Sequence, residues 1–380
     1  MASVSEQEVL VKAIKALQDL IADEETRVVR DAAYGDGGRD DVWRIETPHL
    51  NCDIAVQAYS RFTPKDADRI VSGVSQLMRS MRDQPILVVA PWLSPRSREL
   101  LIEQRINYLD LTGNARVRIP RLPIVVRTDG AQNDPTPVDG PRRGLQGKLI
   151  NSLVRVLVDF APPYRMSDLA RASDLSPAYV SRTLAGLDEE RLIERGRNRM
   201  VVDVDWQRLL RERARNYKLI KSNRGRSYIT RTGLSALTRA LPIAEGTTGA
   251  APGDADGVYR RLIDRGEDRT VVTGSFAAQD YVQIAAPTQL VLYVRDVEQF
   301  VSSNGLMPAD RGANVLLLQP ADRSQLERIR LVEGTFQVGL SQLALDCLSG
   351  NGRLPEEGEA LLEWMSEHVG QWRQHQLPER

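Results

Sequence analysis

Apolar residues recur at three- and four-residue spacing at Leu149, Ile150, Leu153, Val154, Leu157 and Phe160, a stripe that predicts a helix with one face on a core. Ala161-Pro162-Pro163 ends it, because proline supplies no amide and biases its neighbour away from helical angles. A second helix is expected next, with Ser167 as its N-cap and Asp168 at its positive end. The turn Ser173-Asp174-Leu175 then runs into Ser176-Pro177, a capping hydroxyl followed by a proline at the first helical position, which predicts a third helix. Val180, Leu184 and Leu187 share its inner face, while Ala178, Tyr179, Ser181 and Arg182 project from the other side of its first two turns. Leu192-Ile193-Glu194 and Met200-Val201-Val202 follow as short strands. Between them runs Arg195-Gly196-Arg197-Asn198-Arg199, where Gly196 and Asn198 are expected to supply positive φ angles.

On either side the pattern changes period. Residues 1–128 read as a helix at Val4 to Leu20 and strands at Trp43-Ile45 and Asp53-Tyr59. A helix at Asp66 to Met81 follows, then a strand at Ile86-Val89, a helix at Ser94 to Arg105 and strands at Tyr108-Leu109, Ala115-Ile119 and Ile124-Val126. Alternating strands and helices with wholly apolar central strands predict an α/β layer. Residues 256–380 hold apolar strands at Val271-Val272-Thr273, Thr288 to Tyr293, Val315 to Leu318 and Phe336 to Val338. Helices are expected there at Ser341 to Leu348 and at Pro355 to Trp372, the latter with Leu361, Leu362 and Met365 inward. Linkers are expected at Gly130 to Pro141 and at Ile243 to Asp256, on their Gly, Pro, Ala and Thr content. The chain is therefore expected to be a multidomain α/β protein with blocks at 1–128, 142–242 and 256–380.

Composition changes this picture in one place. The whole chain has a formal net charge of zero, yet Arg195 to Arg231 holds 12 Lys and Arg against 3 Asp and Glu. Such segregation is the electrostatic footprint of phosphate contact. Three helices followed by a basic hairpin also form the order of a winged helix-turn-helix, whose third helix enters the major groove of DNA. The expected DNA-binding residues are Ser176, Ala178, Tyr179, Ser181 and Arg182 on that helix and Arg195, Arg197, Asn198 and Arg199 on the wing. Arg211, Arg215, Lys218, Lys221, Arg224 and Arg226 are expected to extend the contact beyond it. A trihelical unit of this kind can also serve protein–protein interaction.

The remaining composition narrows the class. At 42% hydrophobic and 27% charged residues the chain is that of a folded globular protein. No apolar run approaches a membrane span, so no membrane partner and a cytoplasmic, nucleoid-associated location are expected. Cys52 and Cys347 stand far apart, and His49, His368 and His375 make no ligand spacing with them. Neither a disulfide, a metal site nor a cofactor is expected.

Two resemblances add to this. Val88-Val89-Ala90-Pro91-Trp92-Leu93-Ser94-Pro95 and Tyr108-Leu109-Asp110-Leu111-Thr112-Gly113-Asn114, with the preceding strand and helix pair, resemble the restriction-endonuclease-like fold that precedes helix-turn-helix domains in a group of bacterial regulators. An active nuclease of that fold needs an acid on one strand and an acid-x-lysine triplet on the next, to hold magnesium and stabilise the scissile phosphate. Asp53 can be the first acid, but Ala55-Val56-Gln57-Ala58-Tyr59-Ser60-Arg61 holds no acid and no lysine. Asp110 and Asn114 read as a capped turn between two buried strands. Val271-Val272-Thr273-Gly274-Ser275-Phe276-Ala277-Ala278, followed by Ala286 to Val294, resembles the C-terminal domain of AbiEi-type antitoxins, related to a nucleotidyltransferase core. Its Gly274-Ser275 turn is present, but the strand Thr288 to Tyr293 carries none of the paired aspartates that would bind magnesium.

These observations leave two function classes. The first is a non-catalytic, sequence-specific regulator of transcription that binds double-stranded DNA. The antitoxin resemblance implies autoregulation and a co-encoded toxin partner, and paired half-sites would call for a homodimer. The second is a magnesium-dependent DNA nuclease of a defence or repair system, targeted by the winged helix.

Overall fold

The computed structural model describes residues 5–21, 24–30, 40–67, 69–70, 84–119, 121–135, 145, 147, 149–241, 255–265 and 269–378. The chain divides into two compact units, Met1–Arg142 with Asp188–Arg191, and Arg143–Leu187 with Leu192–Arg380. Both are mixed α/β, each built on a mixed seven-stranded sheet. Among the described residues no helix is long and apolar enough to cross a membrane.

In the first unit α1 (Glu6–Ile21) precedes an antiparallel meander of β1 (Arg27–Arg30), β2 (Asp40–Glu46) and β3 (Asn51–Ala58). β4 (Ile86–Ala90) then pairs parallel with β3, and β5 (Asn107–Asp110), reached through α2 (Pro95–Glu103), pairs parallel with β4. β6 (Ala115–Ile119) and β7 (Ile124–Thr128) close the sheet as an antiparallel hairpin, giving seven strands in sequential order. Alternation along β3 sends Cys52, Ile54, Val56 and Ala58 to one face, where Val9, Leu10, Ala13 and Leu17 of α1 cover them. Val88, Ala90 and Tyr108 fill the other face with Phe62, Leu93 and Leu101. The expected strands recur within three residues at their ends, the largest shift being the start of β2 at Asp40 and not Trp43, and β1 is an addition that the alternation did not reveal. The helix expected at 66–81 is described only at 66, 67, 69 and 70; the rest of it, like the first residue of the helix expected at 4–20, lies outside the described residues.

Asp110 anchors this unit's central turn. One carboxylate oxygen accepts from the Thr112 amide and hydroxyl and from the Asn114 amide, and the other accepts from the Leu93 amide and the Asn114 side chain, all at 2.7–3.0 Å. The capped-turn reading of Asp110 and Asn114 fits this geometry. The linker expected at Gly130 starts later, because Gly130 donates to Asn114, Ala131 accepts from Trp92 and Asn114, and Gln132 accepts from Arg98. Asp110→Ala leaves several buried donors unpaired and should cost about 2–4 kcal/mol of stability. Urea unfolding followed at Trp92, which packs beside this turn, checks it; a loss under about 1 kcal/mol would remove Asp110 from that role.

The second unit begins with α3 (Ile150–Asp159), α4 (Met166–Ser173) and α5 (Pro177–Glu189), followed by a hairpin of β8 (Ile193–Arg195) and β9 (Val201–Val204). Tyr164 adds a backbone bridge to Val201, with amide-to-carbonyl distances of 3.0 and 3.1 Å. Three local expectations need correction. Leu149, assigned to the buried stripe, is 62% exposed, whereas Ile150, Leu153, Val154, Leu157 and Phe160 are buried. The N-cap of α4 is Arg165 and not Ser167, because the Tyr164 bridge holds the chain extended until Arg165 and the helix starts at Met166. At the hairpin tip Arg199 takes the positive φ of +56°, while neither Gly196 nor Asn198 does. Arg199 donates its amide to Gly196 and Gly196 donates to Met200, so the bend falls at the last residue of the turn.

α6 (Trp206–Asn216), capped by Asp205, and α7 (Leu219–Ser222) lead into β10 (Arg226–Ile229). β10 belongs to the second sheet, between β13 (Met307–Pro308) and β14 (Val315–Leu318), so the stretch expected as a basic extension of the winged helix is partly a strand of the C-terminal layer. α8 (Leu234–Ala240) follows, and most of the expected second linker, 243–254, lies outside the described residues. α9 (Ala255–Asp264), β11 (Val271–Thr273), α10 (Ser275–Ala278), β12 (Leu290–Tyr293), α11 (Val297–Ser303), β15 (Arg330–Val332) and β16 (Thr335–Gln337) complete the layer, whose strand order is β13-β10-β14-β12-β11-β16-β15. α12 (Leu340–Leu348) and α13 (Leu354–Glu367) pack together with Leu343, Leu361, Leu362 and Met365 fully buried. The single helix expected at 355–372 breaks at His368, after which α14 (Val369–Trp372) is a separate turn.

α3 is buried on all sides because this layer wraps it. Arg155, fully buried, donates to the carbonyls of Ser324 and Glu327 at 2.9 Å each, to Gln342 at 3.2 Å and to Asp159 at 3.3 Å. Asp159 also pairs with Arg328. Burial pushes the Asp159 carboxyl up, but the charges of Arg328 and Arg155 outweigh it and hold the group below its ordinary value. α3 is therefore part of the C-terminal core, and blocks expected at 142–242 and 256–380 share one compact unit.

Candidate nucleic-acid interface

α5 is positioned from its inner side. Val180 and Leu184 are fully buried and Leu187 nearly so, in a core shared with Leu153, Leu157 and Leu169. Ser176 accepts from the Tyr179 amide at 3.3 Å, satisfying a free amide of the first turn as the Ser-Pro start predicts. Asp174, left-handed at φ +55°, makes the sharp turn between α4 and α5. What remains outside is the expected outer face. Ser176, Ala178 and Arg182 are exposed, and Tyr179 and Ser181 are half-buried. Burial raises the Tyr179 hydroxyl above its ordinary value, so it stays neutral and able both to donate and to accept.

The hairpin adds the second element. Arg197, Asn198 and Arg199 are exposed at its tip, and Arg195 is half-buried at its base. Among the described residues the guanidinium groups of Arg182, Arg197 and Arg199 make no hydrogen bond or ion pair. Arg165, exposed at the start of α4 and next to the Tyr164 bridge to the wing, is a further cation on this side that the sequence reading missed. The signal was its position directly before a helix start, hidden when the cap was assigned to Ser167.

The expected extension is mixed. Arg211 is held by Glu359 at 2.8 Å and Arg215 by Glu212 at 2.9 Å. Arg213 is buried and donates to the carbonyls of Leu145 and Gly147, so part of the basic helix serves the fold. Lys218, Lys221, Arg224 and Arg226 are exposed, Arg226 on β10. The α5 and hairpin residues thus share the three-helix and hairpin part of the unit, while Arg226 sits in the C-terminal sheet.

Neither enzyme-like turn keeps its polar groups free. Asp53 is paired with Arg44 across β2 and β3 at 2.8 Å. Among the described residues no group of three or more His, Cys, Asp or Glu side chains could hold a metal ion. The Ser275 hydroxyl donates to Glu357 at 2.7 Å and that of Thr273 to Asp346 at 2.8 Å, so the Gly274-Ser275 turn is tied inside the layer. Gly274 is required there by its φ of +67° and by the Val291 side chain, which a Cβ would meet at 3.0 Å.

Asp346 sits in a fully buried polar cluster with Tyr217, Tyr293, Asn223, Gln325 and Gln342. Burial pushes its carboxyl up to about 6 against the hydrogen bonds that favour its charged form. The unfolded carboxyl titrates near 3.8, so between 3.8 and about 6 folding takes up a proton and this group's contribution to stability falls as pH rises. Asp346→Asn removes that titration. Its stability cost should be largest near about pH 4 and shrink by on the order of 3 kcal/mol by about pH 7. Urea unfolding of both forms across that range checks it, and a cost independent of pH would refute the shift.

Comparison with protein-family models, with curated proteins and with solved structures finds no match for this chain.

Proposed function

We propose that the chain is a sequence-specific regulator of transcription that binds double-stranded DNA through its winged helix-turn-helix. One observation carries the reading: the outer face of α5 and the tip of the β8–β9 hairpin present Arg182, Arg197 and Arg199 to solvent, their guanidinium groups making no hydrogen bond or ion pair among the described residues. Natural folds use ion pairs to neutralise clustered cations, as Arg211 and Arg215 do here. Cations left open beside a helix with small and polar outer residues suit a groove lined by phosphates. In this reading Arg182 donates two parallel bonds to a guanine edge, Tyr179 and Ser181 contact neighbouring bases, and the wing meets phosphates or the minor groove. Lys218, Lys221 and Arg224 are backbone contacts outside the motif.

The first unit is read as a non-catalytic restriction-endonuclease-like domain. Its support is the helix, antiparallel meander and parallel strand order, together with Asp53 neutralised by Arg44 and no acid or lysine from Ala55 to Tyr59. The C-terminal layer is read as AbiEi-like, with an autoregulatory, antitoxin-like role, a homodimer on paired half-sites and a co-encoded toxin as partner. A gel shift and footprint on the chain's own upstream region, with and without magnesium, tests the regulator reading. A discrete protected site that stays uncut supports it; cleavage in magnesium would make the chain a nuclease, and no protection would return the winged helix to protein–protein contact.

A further inference from the structure

The sheet of the first unit carries a charge arrangement that its own packing does not use. β6 and β7 are paired so that Arg116 lies directly opposite Arg127, and Arg118 opposite Val125. All four are exposed, Val125 at 74%, while the alternate residues Ala115, Val117 and Ile119 are buried in the core under α1. Like charges directly across an antiparallel pair destabilise it. The nearby Tyr108 feels Arg98, Arg116 and Arg127 against one acid, Asp129. Arg98 is already committed to Asn114 and Gln132, and among the described residues the guanidinium groups of Arg116, Arg118 and Arg127 have no hydrogen bond or ion pair. A sheet that retains repelling cations on its last hairpin, where any polar residue would fit, points to an anion from outside.

We propose that this β6–β7 face is a second nucleic-acid contact, in which Arg116, Arg118 and Arg127 hold the phosphate backbone of duplex DNA without reading its bases. The proposal rests on the reading that duplex DNA is this chain's ligand. Alternate residues along a strand advance about 7 Å, which matches the rise of two nucleotides along one strand of a duplex at about 3.4 Å each. The face offers guanidinium forks, suited to phosphate, with exposed Val125 between them, and it lies on a flat sheet hairpin and not on a helix that could enter the major groove. An edge hairpin also leaves one side of β7 open to an approaching backbone.

The test uses the full chain and a duplex of arbitrary sequence, with affinity measured as salt is raised. The combined variant Arg116→Ala, Arg118→Ala and Arg127→Ala should make the slope of log affinity against log salt shallower by about 2–3, since each phosphate contact releases about 0.9 counterion. Its unfolding midpoint should equal or exceed that of the native chain, because the repulsion across the hairpin is gone. An unchanged slope overturns the proposal, as does an unchanged slope accompanied by lost binding to anionic phospholipid vesicles, which would assign the face to a membrane surface. Arg197→Ala, at the hairpin tip, run beside it on the same duplex separates the two readings. A defect in Arg197→Ala with an unchanged slope in the triple variant removes only the sheet contact. The reverse result removes only the winged-helix assignment, and a native chain that binds no duplex removes both.

Discussion

Arg155→Ala should lower the stability of the second unit by about 3–5 kcal/mol, enough to unfold many domains. The guanidinium is fully buried and donates to the Ser324 and Glu327 carbonyls, to Gln342 and to Asp159. Alanine takes a donor from each of these buried acceptors and leaves Asp159 with Arg328 as its remaining cationic partner. Because Arg155 lies on α3, the loss strikes the three-helix and hairpin part and the C-terminal layer together, and both should unfold in one transition. Urea unfolding by circular dichroism and by fluorescence of Trp206, Trp364 and Trp372 reads this out. Arg215→Ala, whose partner Glu212 is on the same exposed helix face, should stay within about 0.5 kcal/mol of the native chain. A loss of less than about 1 kcal/mol for Arg155→Ala, or two separate transitions, would contradict a shared core. Gly339→Ala should act in the same direction, since a Cβ there would meet the Arg155 guanidinium at 2.8 Å and the Arg328 carbonyl at 2.7 Å.

Arg182→Ala should weaken binding to a preferred DNA site by about 1–3 kcal/mol and relax the preference at one base pair, because a bidentate guanine contact discriminates among bases. Arg197→Ala should instead weaken all duplexes alike and make the salt dependence shallower by about one ion. The contrast follows from placement: Arg182 projects from the N-terminal half of α5, and Arg197 from a hairpin tip. Competition binding with single-base variants of a site distinguishes them. Equal and uniform losses would take base reading away from Arg182.

The parts legible in the sequence are those decided by local spacing. The three-four spacing of Val180, Leu184 and Leu187 gave the inner face of α5 directly, and Ser176-Pro177 gave its start. The outer face followed by exclusion. Strands β4, β6 and β14 were visible as short apolar or alternating runs between turn residues. What escaped depends on partners far along the chain. β10 is a short, four-residue run with one arginine, and no local pattern reveals its pairing with Val315, Leu316 and Leu317. Arg155 lies between apolar positions of a stripe that seemed one-sided, and only the wrapping of Ser324, Glu327 and Gln342 makes that side interior. Charge counting had the same blind spot: Arg182, Arg211 and Arg213 count alike in sequence, yet they are open, ion-paired and buried respectively. Ser167 shows how a backbone bridge three residues away, at Tyr164, can outrank capping preference.

The central claim is that this chain reads DNA sequence through α5, and selection from a pool of random duplexes by the purified full-length protein tests it most directly. The account predicts an enriched motif that the native chain binds well above the unselected pool and that Arg182→Ala fails to enrich in the same form. Recovery of no motif, or of the same motif at the same strength by both proteins, would contradict it.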